Sequence, residues 1–212
     1  MSSEEEEEEL VPRSFDRGVN YKDMKEKLIN AVNKYYREFR ETSKRMVLRR
    51  LIYTIIAAMG LINGSRISET VKAFCEFVKK GPECLIKIKI SKSDSIKTTK
   101  AGIKRKSKPR FREMKFPKNW FDKKIFLMVR KKNETRRLID GKRLRKRVLD
   151  HLLNNFNCNT HSLRYACINY LLYDKKRPVN DVAAYVGHAN LDQLVTYTQH
   201  HRVNEIHEDD EM

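Results

Sequence analysis

Six residues spread along the sequence carry side chains that together could cleave a phosphodiester bond. They are two arginines, two histidines, a lysine and a tyrosine: Arg66, Arg164, His161, His188, Lys92 and Tyr197. Arginine presents a planar fork of donors that matches two phosphate oxygens, and histidine transfers protons near neutral pH. A phenol, whose ordinary pKa is about 10, can attack phosphorus where cations and a base surround it. The set predicts attack on a DNA phosphodiester without a metal ion.

The local sequence around each candidate suits such a role. Arg66 follows a Gly-Ser turn at the predicted start of a helix, where free backbone N–H groups favour an anion. Arg164 comes three residues after His161, so a helix places both on one face. His188 and Tyr197 are separated by a turn and a short predicted helix. Taken alone, each residue is better explained by an ordinary role: a surface ion pair, a hydrogen-bonded histidine or a packed tyrosine.

Other tyrosines could supply the same nucleophile. By chemistry alone the alternatives to Tyr197 are Tyr170, Tyr173 and Tyr185. Each of these three falls on a predicted apolar helix face, so packing explains them better.

The charge balance favours a nucleic-acid partner. Of 212 residues, 46 are lysine or arginine and 28 are acidic, which gives a net charge of +18. Six of the acidic residues form one run, Glu4–Glu9. A basic protein of this kind binds a polyanion through counterion release, whereas the plainer alternative is a well-solvated surface. The length suffices for one domain with tails.

Cysteine usage and hydropathy predict a cytoplasmic protein. It would be nucleoid-associated, or in the cytoplasm of the host if a virus encodes it. The four cysteines form no C-x-x-C pair and have no zinc-like spacing with a histidine: Cys75, Cys84, Cys158 and Cys167. They are typical of reduced thiols. No apolar run approaches the roughly 20 residues that a membrane span needs, and no signal peptide is evident. We therefore expect neither a metal, a cofactor nor a membrane partner.

Hydrophobic periodicity predicts a mainly α fold of the α+β class, with one small antiparallel sheet of two to three strands. Strand-like alternation occurs over Ile86–Ile90 and again in "RFREMKF", with a long mobile loop expected over Ser91–Pro109. Ser65 is the expected cap of the third helix. The predicted helices are Tyr21–Arg40, Met46–Ile62, Arg66 to about Lys79, Phe126–Val129, Leu144–Phe156, Thr160–Lys175, Pro178–Gly187 and Asn190 to about Gln199.

Three short boxes in this order resemble those of the tyrosine recombinase, or phage-type integrase, family. "GSRISE" is similar to its G-x-R-x-x-E box, and "HSLR" to H-x-x-R. "GHANLDQLVTY" is similar to the box in which a tyrosine follows Gly-His after nine residues. One box is a weak match, but three in order within a basic chain are specific. The helical family domain would cover about Tyr21 to His200.

The resemblance implies a site-specific DNA recombinase or integrase that works through a 3′-phosphotyrosyl intermediate. Tyr197 would be the nucleophile, Arg66 and Arg164 would stabilise charge on the phosphate, and His161 and His188 would handle protons. It also implies double-stranded DNA as the partner and a tetramer on DNA. Residues 1–16, which contain a thrombin-like "LVPRS", would be a disordered acidic leader or tag, 17–202 the catalytic domain, and 203–212 an acidic mobile tail.

A lysine on the sheet hairpin would protonate the departing 5′ oxygen, again by resemblance. Lys92 fits that place best because it directly follows the first strand. Its competitors in the same segment are Lys97, Lys100, Lys106 and Lys108.

Three other functions remain open to the sequence. A type IB topoisomerase uses similar chemistry but relaxes supercoils as a monomer. A plain DNA-binding module would have lost catalysis, although the full set of reactive residues argues against loss. A metal-dependent transposase would need clustered carboxylates, whereas the acidic residues lie mainly in the two tails. Only one or two helices precede Gly64, so this sequence has no room for the separate N-terminal clamp domain of many family members, and it would be either a catalytic fragment or a minimal protein.

Overall fold

Helices dominate the fold, and a small antiparallel sheet occupies the middle of the sequence, so the predicted fold class is confirmed. The computed structural model describes residues 19–90, 96–98, 104–106, 109–132 and 141–188. Its helices are α1 (Tyr21–Thr42), α2 (Arg45–Asn63), α3 (Ile67–Lys80), α4 (Lys123–Lys131), α5 (Gly141–Phe156), α6 (Thr160–Asn169) and α7 (Val179–Val186). Its strands are β1 (Ile86–Lys89), β2 (Ile96–Thr98), β3 (Lys104–Lys106) and β4 (Phe111–Met114).

The core is built around α2, which packs against α1, α5 and α6. Every residue from Leu51 to Leu61 is buried, so this helix is apolar on all sides, as a central helix must be. Length and hydropathy alone would let α2 cross a membrane, but 78% of its apolar window is buried inside the protein. The helix is therefore a core helix, as the sequence predicts.

The strands form two separate two-stranded antiparallel sheets, with β2 and β3 lying between β1 and β4 in sequence. β1 pairs with β4 in a register that sets Ile88 opposite Arg112, and β2 pairs with β3. The prediction of an unstructured loop over Ser91–Pro109 is wrong where β2 and β3 lie. These strands are rich in lysine and lack apolar alternation, so their pairing depends on backbone hydrogen bonds that hydropathy does not reveal. The returning strand in "RFREMKF" is confirmed.

Several helix ends differ from the predictions. The helices α4 and α5 begin three residues earlier, at Lys123 and Gly141. Arg66, and not Ser65, is the N-cap of α3, because the Ser65 hydroxyl is buried in a 2.7 Å hydrogen bond with Thr70. The predicted helix Thr160–Lys175 is α-helical only to Asn169 and continues as one π-helical turn, Tyr170–Asp174. The predicted leader, the acidic tail and the helix from Asn190 lie outside the described residues.

The core also contains a buried histidine whose surroundings define its protonation state. His151 lies between α2 and α5, with Nε2 2.9 Å from the Thr54 hydroxyl and Nδ1 3.2 Å from the Asn155 amide nitrogen. The Thr54 hydroxyl donates to the Arg50 carbonyl, so it accepts from Nε2–H, while Nδ1 accepts from the amide. Burial, together with the charge of Arg50, lowers the pKa of His151 to about 4.

The neutral His151 should make the fold sensitive to acid. Between pH 6.5, the ordinary pKa of histidine, and a pH of about 4, His151 binds a proton in the unfolded chain but not in the folded protein. The free energy of unfolding should therefore fall across this window, by on the order of 2 kcal/mol. Urea unfolding between pH 7.5 and 4 would measure it, with His151→Gln as the comparison. Equal pH dependence in both proteins would contradict the assignment.

Candidate active site

Arg164 is buried at the centre of the region that the sequence predicts as the active site. Only 2% of the residue is exposed, and its Nη1 donates to the carbonyls of Gly64 at 2.5 Å and Val186 at 3.0 Å. A capping box between Asn159 and Ser162 fixes where α6 begins and so where Arg164 lies. Arg164 thus joins the turn after α2 to the end of α7. An ordinary surface ion pair does not describe it.

Arg66 lies at the first turn of α3, with a quarter of its side chain exposed. Its Nη1 is 3.3 Å from Oε1 of Glu69, a carboxylate that is fully buried one turn later in the same helix. Its carbonyl accepts from the backbone N–H groups of Glu69 and Thr70. The buried Glu69 carboxylate therefore holds one nitrogen of the Arg66 guanidinium, while part of the side chain stays open to solvent, where a ligand could reach it.

A third arginine, Arg112 on β4, joins this cluster and was not among the predicted site residues. It is buried, with 3% of its side chain exposed, and its Nη1 lies 3.8 Å from Glu69. Its guanidinium donates to the carbonyls of Val186, at 2.9 Å, and Asn63. The Asn63 side chain in turn pairs with both backbone groups of Lys115, which fixes β4 against the end of α2.

Two left-handed glycines bring these segments together. Gly64 has φ +53°, and an added Cβ would come within 2.8 Å of the Val186 side chain and 3.0 Å of the Cys167 sulfur. Gly187 has φ +70°, and a Cβ there would lie 3.2 Å from Ile90. Both turns need the conformation and the missing side chain of glycine. They place the first and third sequence boxes next to α6, which carries the second.

The two predicted histidines lie in different environments. His188 is buried, with 7% of its surface exposed, and its backbone N–H closes the end of α7 by donating to Ala183. His161 is exposed in the first turn of α6, where its backbone N–H donates to the Asn159 side chain. The structure therefore joins Arg66, Arg164 and His188 through one connected set of turns. His161 stays at the rim.

Two predicted residues, Lys92 and Tyr197, lie outside the described residues. The backbone of Lys97 lies on β2 and that of Lys106 on β3, while Lys100 and Lys108 fall outside the described segments. Of the alternative tyrosines, Tyr170 stacks on Tyr21 with ring centres 4.1 Å apart. Tyr170 is half-buried, and this stack gives it a packing role, as its place on an apolar helix face predicts.

The cluster carries an excess of positive charge. Among the described residues it contains three guanidinium groups and one carboxylate, that of Glu69. Burial lowers the pKa of Arg112 to about 10, with the nearby charge of Glu69 opposing that change and the charge of Arg164 adding to it. A desolvated cluster of this sign suits an anion that completes its charge balance.

The neighbouring thiol and phenol are held in their neutral forms. Burial raises the pKa of Cys167 to about 12 and that of Tyr185 to about 12. The Tyr185 hydroxyl donates to the Ile62 carbonyl at 2.8 Å, so it is committed to a structural hydrogen bond. Across the part of the chain that the structure describes, no three His, Cys, Asp or Glu side chains converge as metal ligands.

Comparison with known proteins gives relatives along almost the whole chain. No protein-family model matches the sequence. A protein of Sputnik virophage named "Putative integrase V10" is 44% identical over 203 residues, covering 92% of this chain and 90% of its own length. A protein of Acidianus two-tailed virus named "Putative integrase ORF241" is 29% identical over 191 residues, or 89% of this chain and 66% of its own length.

Among solved structures there is a more distant likeness. The XerH site-specific recombinase, bound to its palindromic difH substrate in a post-cleavage complex, superposes with a TM-score of 0.49 and 19% identity. The superposition covers 92% of this chain and 53% of that one.

Proposed function

We propose that this chain, which belongs to the integrase family, is a tyrosine recombinase, an enzyme that cleaves and rejoins double-stranded DNA at specific sites. The family membership supports an integrase that acts on DNA. The site supports the chemistry, because Arg164 donates to the carbonyls of Gly64 and Val186 and so brings together the segments that bear Arg66 and His188. The same cluster carries the surplus positive charge that a scissile phosphate would balance.

The proposed cleavage is a direct displacement at phosphorus. The phenol oxygen of Tyr197 attacks the scissile phosphate, and its proton passes to a histidine of the site. The bond to the 5′ oxygen breaks, and that oxygen leaves with a proton from a hairpin lysine, for which Lys92 is the first candidate. A 3′-phosphotyrosyl ester replaces the phosphodiester, so the energy of the broken bond is kept in the new ester.

Rejoining reverses these steps. A 5′ hydroxyl attacks the phosphotyrosyl ester, the tyrosine leaves as a phenol, and the phosphodiester is restored without a nucleoside triphosphate. Arg66 and Arg164 hold the non-bridging oxygens throughout, since positioning and electrostatics dominate phosphoryl transfer. Exchange of strands between two duplexes needs several active sites, so we propose that protomers assemble as a tetramer on DNA. We also propose that the reaction needs no metal ion and takes place in the cytoplasm.

Covalent trapping in the presence of EDTA tests this function directly. Nicked duplexes carrying candidate sites would be mixed with the protein and resolved under denaturing conditions. The expected product is a protein–DNA adduct whose nucleotide maps by mass spectrometry to the peptide containing Tyr197. Tight, salt-sensitive binding without an adduct would instead indicate a DNA-binding module.

A second assay separates the two enzymes that form such an adduct. A recombinase transfers strands between two duplexes that carry its site. A type IB topoisomerase relaxes supercoiled plasmid as a monomer, without a requirement for a second site. Relaxation without strand transfer would therefore replace the recombinase proposal with the topoisomerase one.

A further inference from the structure

We propose that Arg112 is a positioning residue for strand cleavage, which holds the segments bearing Arg164 and His188 in register with the segment bearing Arg66. This role rests on the proposed function. Arg112 belongs to none of the three sequence boxes, and it reaches the site from the sheet. It would act through backbone carbonyls and not by touching the phosphate.

The contacts of Arg112 connect three separate parts of the chain. One arm of the guanidinium donates to the carbonyl of Val186, two residues before His188. The other arm donates to the carbonyl of Asn63, three residues before Arg66. A single planar group thus fixes the spacing between the two turns that carry site residues.

The Val186 carbonyl is shared by two arginines. Arg112 donates to it at 2.9 Å and Arg164 at 3.0 Å, so both guanidiniums converge on one oxygen. The two like charges repel, and Glu69 lies close enough to Arg112 to offset part of that repulsion. The position of Arg164 is therefore set by the arginine beside it as well as by its own hydrogen bonds.

The strand makes this arrangement unusual. Arg112 is on the inward face, opposite Ile88 and in line with the buried Met114, where an apolar residue would ordinarily pack. Burying a guanidinium there costs free energy unless its hydrogen bonds are well made. A lysine could not replace it, because its donors share one nitrogen and cannot span the Asn63 and Val186 carbonyls.

The test compares binding with chemistry in Arg112→Met, Arg112→Lys and the control Arg130→Met, which removes an exposed arginine on α4. DNA affinity would be measured by titration, and single-turnover cleavage on a nicked duplex. Affinity should change by less than about threefold, while cleavage falls about 100-fold in both Arg112 variants, because small misplacement of reacting groups is costly. Arg130→Met should cleave at the wild-type rate.

A substrate with a methylphosphonate at the scissile position supplies the readout that a purely structural defect would not change. This group lacks one negative charge, so the reaction depends less on correctly placed arginines. The rate difference between wild type and Arg112→Met should shrink at least about tenfold on it, if Arg112 acts through Arg164. If Arg112→Met does not fold, Arg112→Lys, which keeps the charge, carries the same two comparisons.

Two results would overturn the role of Arg112 while leaving the enzyme intact. One is an unchanged cleavage rate in the Arg112 variants. The other is an equal loss on the phosphate and methylphosphonate substrates, which would make Arg112 a residue of stability only. A wild type that forms no adduct on either substrate is a different outcome, because it refutes the proposed function and the positioning role with it.

Discussion

Tyr197→Phe should remove the covalent DNA adduct and leave DNA affinity unchanged. Without the phenol oxygen there is no atom to form the ester, so adduct formation should fall by at least about 10⁴-fold, as expected for loss of a nucleophile. The arginine cluster that would bind the phosphate is untouched by this change. Denaturing gels of nicked-duplex reactions and binding titrations would measure the two properties on the same preparations.

Tyr185→Phe is the matched control for that experiment. Its hydroxyl donates to the Ile62 carbonyl and its pKa is raised to about 12 by burial, which makes it a poor nucleophile. The variant should keep the adduct and lose about 1 kcal/mol of stability with the hydrogen bond. An adduct that survives Tyr197→Phe would mean that another tyrosine performs the attack.

The helices could be predicted from the sequence because the buried face of a helix carries apolar residues at a regular spacing of three or four residues. α1 and α2 begin and end within two residues of the predicted bounds. The pair β2–β3 was not predicted because these lysine-rich strands lack the alternation of apolar and polar residues that indicates a strand. The π-helical turn after α6 was not predicted either; it begins at Tyr170, whose ring stacks on that of Tyr21, a residue far away in sequence.

The site was only partly predictable for a related reason. Motif spacing predicted Arg66, Arg164 and His188 as site residues, and the structure brings their segments together. Their catalytic roles stay predictions, as do those of His161, Lys92 and Tyr197. The sequence signal for Arg112 is weak: it lies two residues before Met114 in a strand, so both side chains point to the same, inward face. The same alternation turns the aromatic neighbour outward, and Phe111 is 60% exposed. For Phe111 and Arg112 taken alone, hydropathy would predict the opposite orientation.

His161 and Arg164 differ in exposure although both lie on α6. Their spacing of three residues predicts that they share one helix face. His161 is exposed whereas Arg164 is buried, because His161 lies in the capped first turn, where α6 emerges from the core. A side chain at the rim remains available to a ligand that approaches from solvent.

Glu69→Gln should destabilise the protein more than any other change of a single charge in this cluster. Glu69 is fully buried and pairs with Arg66 at 3.3 Å and Arg112 at 3.8 Å. Glutamine has nearly the same shape, but it removes the negative charge and turns two N–H donors toward guanidinium donors. Breaking such a buried pair should cost about 3–5 kcal/mol in the free energy of unfolding. Urea denaturation at pH 7 would measure the loss.

Glu76→Gln offers a control on the same helix, two turns later. Its carboxylate is a third exposed and pairs with Lys79 at 3.0 Å, which, chiefly through that hydrogen bond, holds the pKa of Glu76 below its usual value. A solvated pair of this kind contributes less than about 1 kcal/mol. The contrast between the two variants therefore isolates desolvation, because helix, residue type and substitution are the same.

The effect of Glu69→Gln shows whether the Glu69 carboxylate offsets the repulsion between the buried arginines. If Glu69 offsets the repulsion between arginines, Glu69→Gln should also be stabilised by added sulfate more strongly than wild type, because an anion would replace the lost charge. Equal costs for Glu69→Gln and Glu76→Gln would contradict this account and imply that water reaches the cluster. In that case the arginines would be held by their carbonyl hydrogen bonds alone, with Gly64 and Val186 as the anchors of Arg164.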